Sequence, residues 1–230
     1  MAYRRSLYRN SFDNQAKELL LKARGAQKLT KLYPELRDSV FQCAILLVVA
    51  ALETYIKLIV ESWVQNIKTL NLGHITPADA RAFIASKKLE RKFALFQYNG
   101  DERALYTSLL SESELWPFLN GDSKLPAFFQ GKVLHEGAAY PSSKNMKKLF
   151  GRLGINDMIA RLSRSLSRDV EVLIDSIQGI RTALAHSSPP PLTIADVERI
   201  LADCTSLVGA IDRVFYAHVM KHGGQDCWTP

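Results

Sequence analysis

Arg181 and His186 are the two residues whose types and spacing could do chemistry, and they stand at the end of a long helical pattern just before Pro189. A guanidinium can hold a phosphate through paired N–H groups, and an imidazole can transfer a proton near neutral pH. Proline cannot continue a helix, so both side chains are expected near a helix end. On an ideal helix they point about 140° apart, and they converge only if the last turn loosens. The alternative is that both cations simply complement the negative end of the helix dipole.

The elements that must position this pair are predicted to be helices, because apolar residues recur at spacings of three and four and no alternating strand pattern is found. One long helix is expected from Pro34 to about Leu70. Thr76 and Thr193 are expected to cap two later helices, the second with Asp196. The last helix is expected to end at Gly223 after a cationic turn. Its apolar stripe consists of Ile194, Val197, Leu201, Cys204, Val208, Ile211, Phe215 and His218.

The helix that carries Arg181 is expected to be continuous from about Ile159 to Leu184. A short proline-containing link joins it to the last helix, and this favours an antiparallel hairpin of the two. Glycines and Asn-Gly pairs break the chain between Leu70 and Ile155, and they predict an insertion of short helices. We therefore expect a basic helical segment over 1–33, an all-α bundle of long antiparallel helices over 34–222 with its insertion at about 71–155, and a tail over 223–230.

Positive charge is concentrated in one segment. The chain has a formal net charge of +7, and Lys144–Arg168 contains seven Lys and Arg residues against the single acidic residue Asp157. Arg161, Arg164 and Arg168 form a predicted exposed ridge on the helix that leads to Arg181. Such a ridge, with Lys147 and Lys148, would attract a polyanion; its alternative is an ordinary solvated face.

Composition limits the other possibilities. Three widely spaced cysteines favour a reducing compartment, and charged and polar residues rather than an apolar segment follow the N-terminus, so a cytoplasmic protein without a secretory signal is expected. The apolar stretch Cys43–Leu52 is expected to be too short to span a membrane. His218 and His222 could share a metal, but a cationic helix end explains them better. No phosphate-binding glycine loop, CxxC pair, HExxH or Gly-x-Ser-x-Gly occurs, and no metal or cofactor is expected.

Three segments in this order resemble the HEPN superfamily, and most closely its RiboL-PSP-HEPN type from bacterial defence proteins. They are the Ala51–Ile56 helix segment, the stretch Tyr140–Ile155, and Arg181 with His186 after a long helix. The resemblance covers most of residues 34–220. It implies an all-α domain that forms a homodimer with two Arg-x4-His motifs facing each other, and metal-independent endoribonuclease activity in toxin–antitoxin or anti-phage systems. Thr182 follows the motif arginine, where active members often have Asn.

RNA supplies its own nucleophile, so cleavage needs only a base, an acid and positive charge at the phosphate. Two copies of His186 in a shared cleft would supply the base and the acid, and the two Arg181 side chains would hold the phosphate. Glu53 and Thr182 are candidates to orient these groups, although Glu53 could equally be a surface charge. An antitoxin or another defence protein is a further expected partner. The alternative function is a non-catalytic helical module that binds RNA or protein.

Overall fold

The computed structural model describes residues 2–29, 32–122, 124–138, 141–185 and 191–228. Within these ranges the chain forms ten α-helices and no strand, which confirms the all-α prediction. The helices are α1 (Leu7–Gln27), α2 (Pro34–Thr69), α3 (Ala78–Asn99), α4 (Glu102–Leu110), α5 (Leu115–Asn120), α6 (Gly131–Leu134), α7 (Ser143–Arg152), α8 (Met158–Leu166), α9 (Val170–Ala185) and α10 (Ile194–His222). Two 3₁₀ turns, Gly73–Ile75 and Gln225–Cys227, flank the bundle helices.

The long helices α2 and α10 are the centre of the fold, and α1 packs against both of them. Pro34 stands in the first turn of α2, where its missing N–H costs nothing. Large apolar side chains of α2 and α10, such as Phe41, Ile45 and Phe215, are fully buried in one continuous core. The long predicted helix from Pro34 is therefore confirmed at both ends.

By length and composition α2 is also long enough to cross a membrane. An 18-residue window of this helix has a mean hydropathy of 2.2, and 56% of that window is buried within the protein. The apolar stretch Cys43–Leu52 is too short by itself, and α2 reaches this length because the helix continues on both sides of it. In this structure the buried side of α2 packs into the hydrophobic core of the protein.

Helix capping was predicted correctly for α10 and incorrectly for α3. Thr193 caps α10 in a complete capping box with Asp196, and Gly223 follows the last residue of the helix. For α3 the cap position is Pro77, and the hydroxyl of Thr76 is buried without a hydrogen-bond partner among the described residues. The helix begins one residue later than expected, since its first hydrogen bond runs from the Arg81 N–H to the Pro77 carbonyl.

The predicted continuous helix ending at Leu184 was wrong, since it is two helices. α8 ends where Ser167 adopts a left-handed conformation with φ 51°. The Asp169 carboxylate then accepts the N–H groups of Glu171 and Val172, which starts α9. The arginine ridge consequently begins on α8, whereas Arg181 is on α9.

This break also changes the packing that the sequence suggested. α10 packs on α1, α2 and α8, while α9 packs on α2, α7 and α8. The expected pairing of α10 with the Arg181 helix was therefore wrong for most of the length of α10, because α8 packs there instead of α9. The consequence for the site is that α2 becomes the main neighbour of the Arg181 helix among the long helices.

The insertion contains one long helix as well as short ones. α3 has 22 residues, so the expectation of short helices alone was wrong. Its first turns are anchored by Ala80 and Ile84, and the remainder pairs with α4, which buries no residue. Further along, α6 lies so close to α2 that a Cβ at Gly131 would be 2.6 Å from the Cα of Glu61.

Both chain ends share the bundle core. α1 buries Phe12 and Leu19, and Trp228 is buried near the C-terminus. The Trp228 indole donates to the Arg4 carbonyl, and the Tyr216 hydroxyl donates to the Ala2 carbonyl. The division into 1–33, 34–222 and 223–230 stays a prediction, although the core continues across both of its boundaries.

Candidate active site

Arg181 lies in the last described turn of α9 and faces α2. Its Nη2 atom is 3.5 Å from Oε1 of Glu53, and the side chains are 34% and 23% exposed. The contact joins two helices that are remote in sequence, and it fixes the direction of a guanidinium that still reaches solvent. Arg181 can therefore present N–H groups to an anion while Glu53 holds the other side of the group.

Glu53 occupies an unusual position for a carboxylate. Burial raises its pKa above the ordinary value, and the neighbouring Arg181 opposes this by favouring the charged form. Its Oε1 atom is buried and accepts no hydrogen bond from the described residues. The ion pair with Arg181 is thus too long to satisfy the carboxylate fully, and Glu53 retains capacity to accept another hydrogen bond.

Gln178 is a site neighbour that the sequence did not reveal. It is on α9 three residues before Arg181, so the two side chains project from neighbouring turns of the same helix side. Its Nε2 atom is buried and has no hydrogen-bond acceptor among the described residues. A donor and an acceptor without partners therefore lie on the elements that meet at Arg181. No periodicity or motif could have found Gln178.

Of the other two motif residues, the structure describes Thr182 but not His186. His186 lies outside the described residues, as do Ser187 and Ser188, so its approach to Arg181 stays a prediction. Thr182 is described and is exposed on α9.

The predicted RNA-binding arginines are exposed but they are already paired. Arg161 donates through Nε to Asp157 at 2.6 Å, and Arg164 lies 3.7 Å from the same carboxylate. Arg168 donates to Asp203 of α10 at 2.6 Å. One aspartate thus serves two arginines on α8, whereas Arg168 has a carboxylate to itself.

The two predicted lysines point to other partners. Lys147 contacts both carboxylate oxygens of Glu171 at 2.8 Å, and Lys148 approaches the Gly137 carbonyl at 3.4 Å. These contacts link α7 to α9 and to the turn after α6. The Glu171 carboxylate offsets the charge of Lys147, whereas Lys148 meets a neutral carbonyl and keeps its positive charge.

His218 is buried on α10, and His222 is the last residue of that helix. Burial lowers the pKa of His218 to about 4, with smaller contributions from its neighbours His222, Arg161 and Lys221. Its ring stacks on Phe215. Among the described residues no group of three His, Cys, Asp or Glu side chains could hold a metal ion. Cys204 is fully buried, as its place on the apolar stripe predicts.

A family model matches most of the chain, whereas no curated protein and no solved structure matches it. The family model of RiboL-PSP-HEPN matches residues 10–217, which includes most of α1, the whole insertion and Arg181. Because this match covers far more than half of the 230 residues and agrees with the all-α fold, the chain belongs to the RiboL-PSP-HEPN family of the HEPN superfamily.

Proposed function

We propose that this protein is a metal-independent endoribonuclease that acts as a toxin or an anti-phage defence effector in the cytoplasm. Family membership indicates a nuclease-like or RNA-related role. The observation that carries the finer proposal is the Arg181–Glu53 pair, which holds an arginine that is 34% exposed at the helix end where the family motif continues to His186.

In the proposed reaction the RNA 2′-oxygen attacks the adjacent phosphorus. One neutral His186 removes the 2′-OH proton as the O–P bond forms, and a protonated His186 gives a proton to the departing 5′-oxygen as its bond to phosphorus breaks. Arg181 stabilises the extra negative charge on the phosphoryl oxygens. The products are a 2′,3′-cyclic phosphate and a free 5′-hydroxyl, and the charge balance is complete without a metal.

Glu53 and Gln178 are assigned positioning roles. Glu53 limits the orientations of the Arg181 guanidinium, and its unsatisfied oxygen can accept a further N–H or O–H group. The buried Gln178 amide can donate to a phosphate or to a group from a second subunit. Thr182, which is exposed beside Arg181, is available to the RNA.

A homodimer would supply the two histidines. The outer face of α2 supports this, since residues 39–52 contain no charge and the exposed positions there follow a spacing of three and four. Leu47 is 48% exposed on this face, and Cys43 is exposed one turn earlier. The stripe of Leu36, Val40, Cys43, Leu47, Ala50 and Thr54 ends beside Glu53, so a second copy packed on it would approach Arg181.

The test is cleavage of a single-stranded RNA in EDTA by wild type, Arg181→Ala, His186→Ala and Glu53→Gln. The first two variants should lose activity, and Glu53→Gln should retain part of it because the amide still accepts a hydrogen bond. Arg24→Ala is the matched control, since it removes an arginine that pairs with Glu198 between α1 and α10 at 2.8 Å. A strict divalent-metal requirement, or normal activity of Arg181→Ala, would refute the proposal.

Two further measurements separate the parts of the proposal. Sedimentation at micromolar concentration should give a dimer, and a monomer that cleaves RNA would exclude a shared site. RNA binding without any cleavage by wild type would favour the non-catalytic alternative. Expression should arrest growth only with His186 intact, and co-expression of an antitoxin should restore growth.

A further inference from the structure

A groove between α8 and α10 is bordered by three arginines. It has a volume of about 530 Å³ and is lined by Asp157, Arg161, Arg164, Ser165, Arg213, Val214 and Ala217. Arg181 does not line it, and no sequence pattern connects Arg213 with the α8 arginines. The connection arises because α10 packs along α8.

The charges of this groove are not balanced. Among the described residues that line it, Asp157 is the only carboxylate, and it already faces both Arg161 and Arg164. Arg213 is exposed and forms no ion pair with a described residue. Three guanidinium groups and one carboxylate leave an excess of two positive charges in a concave surface, which is where a polyanion is attracted most strongly.

A neighbouring groove shows that the imbalance is local. Its volume is about 710 Å³, and its charged lining consists of Lys147, Arg164, Arg168, Asp157, Asp169 and Glu171. There the three cations are matched by three carboxylates. The ridge that the sequence predicted thus divides into a neutral side toward α9 and a positive side toward α10.

The hydrogen bonds leave the positive side open to a ligand. Arg161 uses its Nε for Asp157, so its two terminal nitrogens can form a fork on an oxyanion. The Arg164 side chain is 75% exposed. Ser165 and Ala217 are small, and they leave a shallow, open groove between the two helices.

We propose that the groove of Arg161, Arg164 and Arg213 binds phosphates of RNA at a place separate from Arg181. The RNA then runs over the α10 side of α8, and Arg168 and Lys147 keep their ion pairs. This inference rests on the proposed function only in taking RNA as the polyanion. This binding surface differs from the ridge predicted from the sequence at two positions. It includes Arg213, and it excludes Arg168.

The experiment measures binding of a fluorescein-labelled 20-nucleotide oligouridine RNA by anisotropy at several salt concentrations, in the His186→Ala background. The triple change of Arg161, Arg164 and Arg213 to Gln should lower the slope of log affinity against log salt by about 2, because each phosphate contact on a single strand contributes about 0.7. At 0.1 M salt this slope corresponds to an increase in Kd of about 100-fold. Arg213→Gln alone should account for about one third of the change in slope.

The control removes the same charge elsewhere, through Gln at Lys17, Arg24 and Arg103 on α1 and α4. Circular dichroism and urea unfolding establish that both triple variants are folded. Equal Kd and slope for the two triple variants would overturn the groove site. If wild type never cleaves RNA but the groove variant still loses binding, the proposed activity fails and the groove site stands.

Discussion

The substitution Asp212→Ala should destabilise the protein more than any change in the proposed site. Asp212 is fully buried on α10 and has four donors: the Ser6 backbone N–H, the Ser6 hydroxyl and the hydroxyls of Tyr3 and Tyr55. Burial raises the pKa of Tyr3 to about 12 and that of Tyr55 well above its usual value, so both phenols remain protonated donors. The carboxylate therefore ties the N-terminal residues to α2 and α10.

The magnitude follows from the groups left behind. Without the carboxylate, the buried Ser6 N–H, Ser6 hydroxyl and Tyr55 hydroxyl lose their acceptor. The Tyr3 hydroxyl loses its acceptor too, but Tyr3 is only half-buried and still accepts a hydrogen bond from Arg9. Each buried unsatisfied group costs about 1–3 kcal/mol, and loss of one partner from a buried charged network costs about 3–5 kcal/mol in total. For a chain of this size, this loss of unfolding free energy lowers Tm by about 10 °C.

Urea unfolding followed by circular dichroism measures this difference, with two comparison variants. Tyr55→Phe removes one of the four donors and should cost about 1 kcal/mol. Asp203→Ala breaks only the surface pair with Arg168 and should cost less than about 1 kcal/mol. If Asp212→Ala were no less stable than Asp203→Ala, the network would not hold the N-terminal segment, and the reasoning would be refuted.

Two other predictions concern pH. His218 has a folded-state pKa of about 4 against an ordinary 6.5, so the unfolded chain binds the proton more readily and stability should fall as pH decreases from about 6.5 to 4. His218→Asn should flatten this part of a plot of unfolding free energy against pH. An unchanged slope would contradict the assignment. Glu53 has a raised pKa, so the folded state binds its proton more readily and its contribution to stability should decrease as pH rises past the ordinary value of 4.5. Glu53→Gln should therefore gain stability relative to wild type between pH 4 and pH 7 in parallel urea titrations, whereas a relative loss would mean that the pair with Arg181 outweighs the cost of burial.

Local sequence was sufficient for the helices whose ends depend on nearby residues. Pro34, the Thr193–Asp196 capping box and Gly223 each act within one turn, and the bounds of α2 and α10 followed from them. The same kind of argument failed at Ser167, since a left-handed serine is unfavourable by itself and is held by the packing of α8 and α9 and by the Asp169 cap. The apolar stripe continued across this break and concealed it.

The sequence by itself determined the helical class, the motif Arg181-x4-His186 and the segment that carries the excess positive charge, because residue type and short-range spacing encode these features. Only the tertiary structure decided that Glu53 meets Arg181, that Asp212 collects donors from the N-terminus and α2, and that Arg213 joins Arg161 and Arg164. The physical reason is that each of these contacts forms between helices that are distant along the chain. Their proximity depends on how the buried faces of α2, α8, α9 and α10 fit together, and no local pattern specifies that fit.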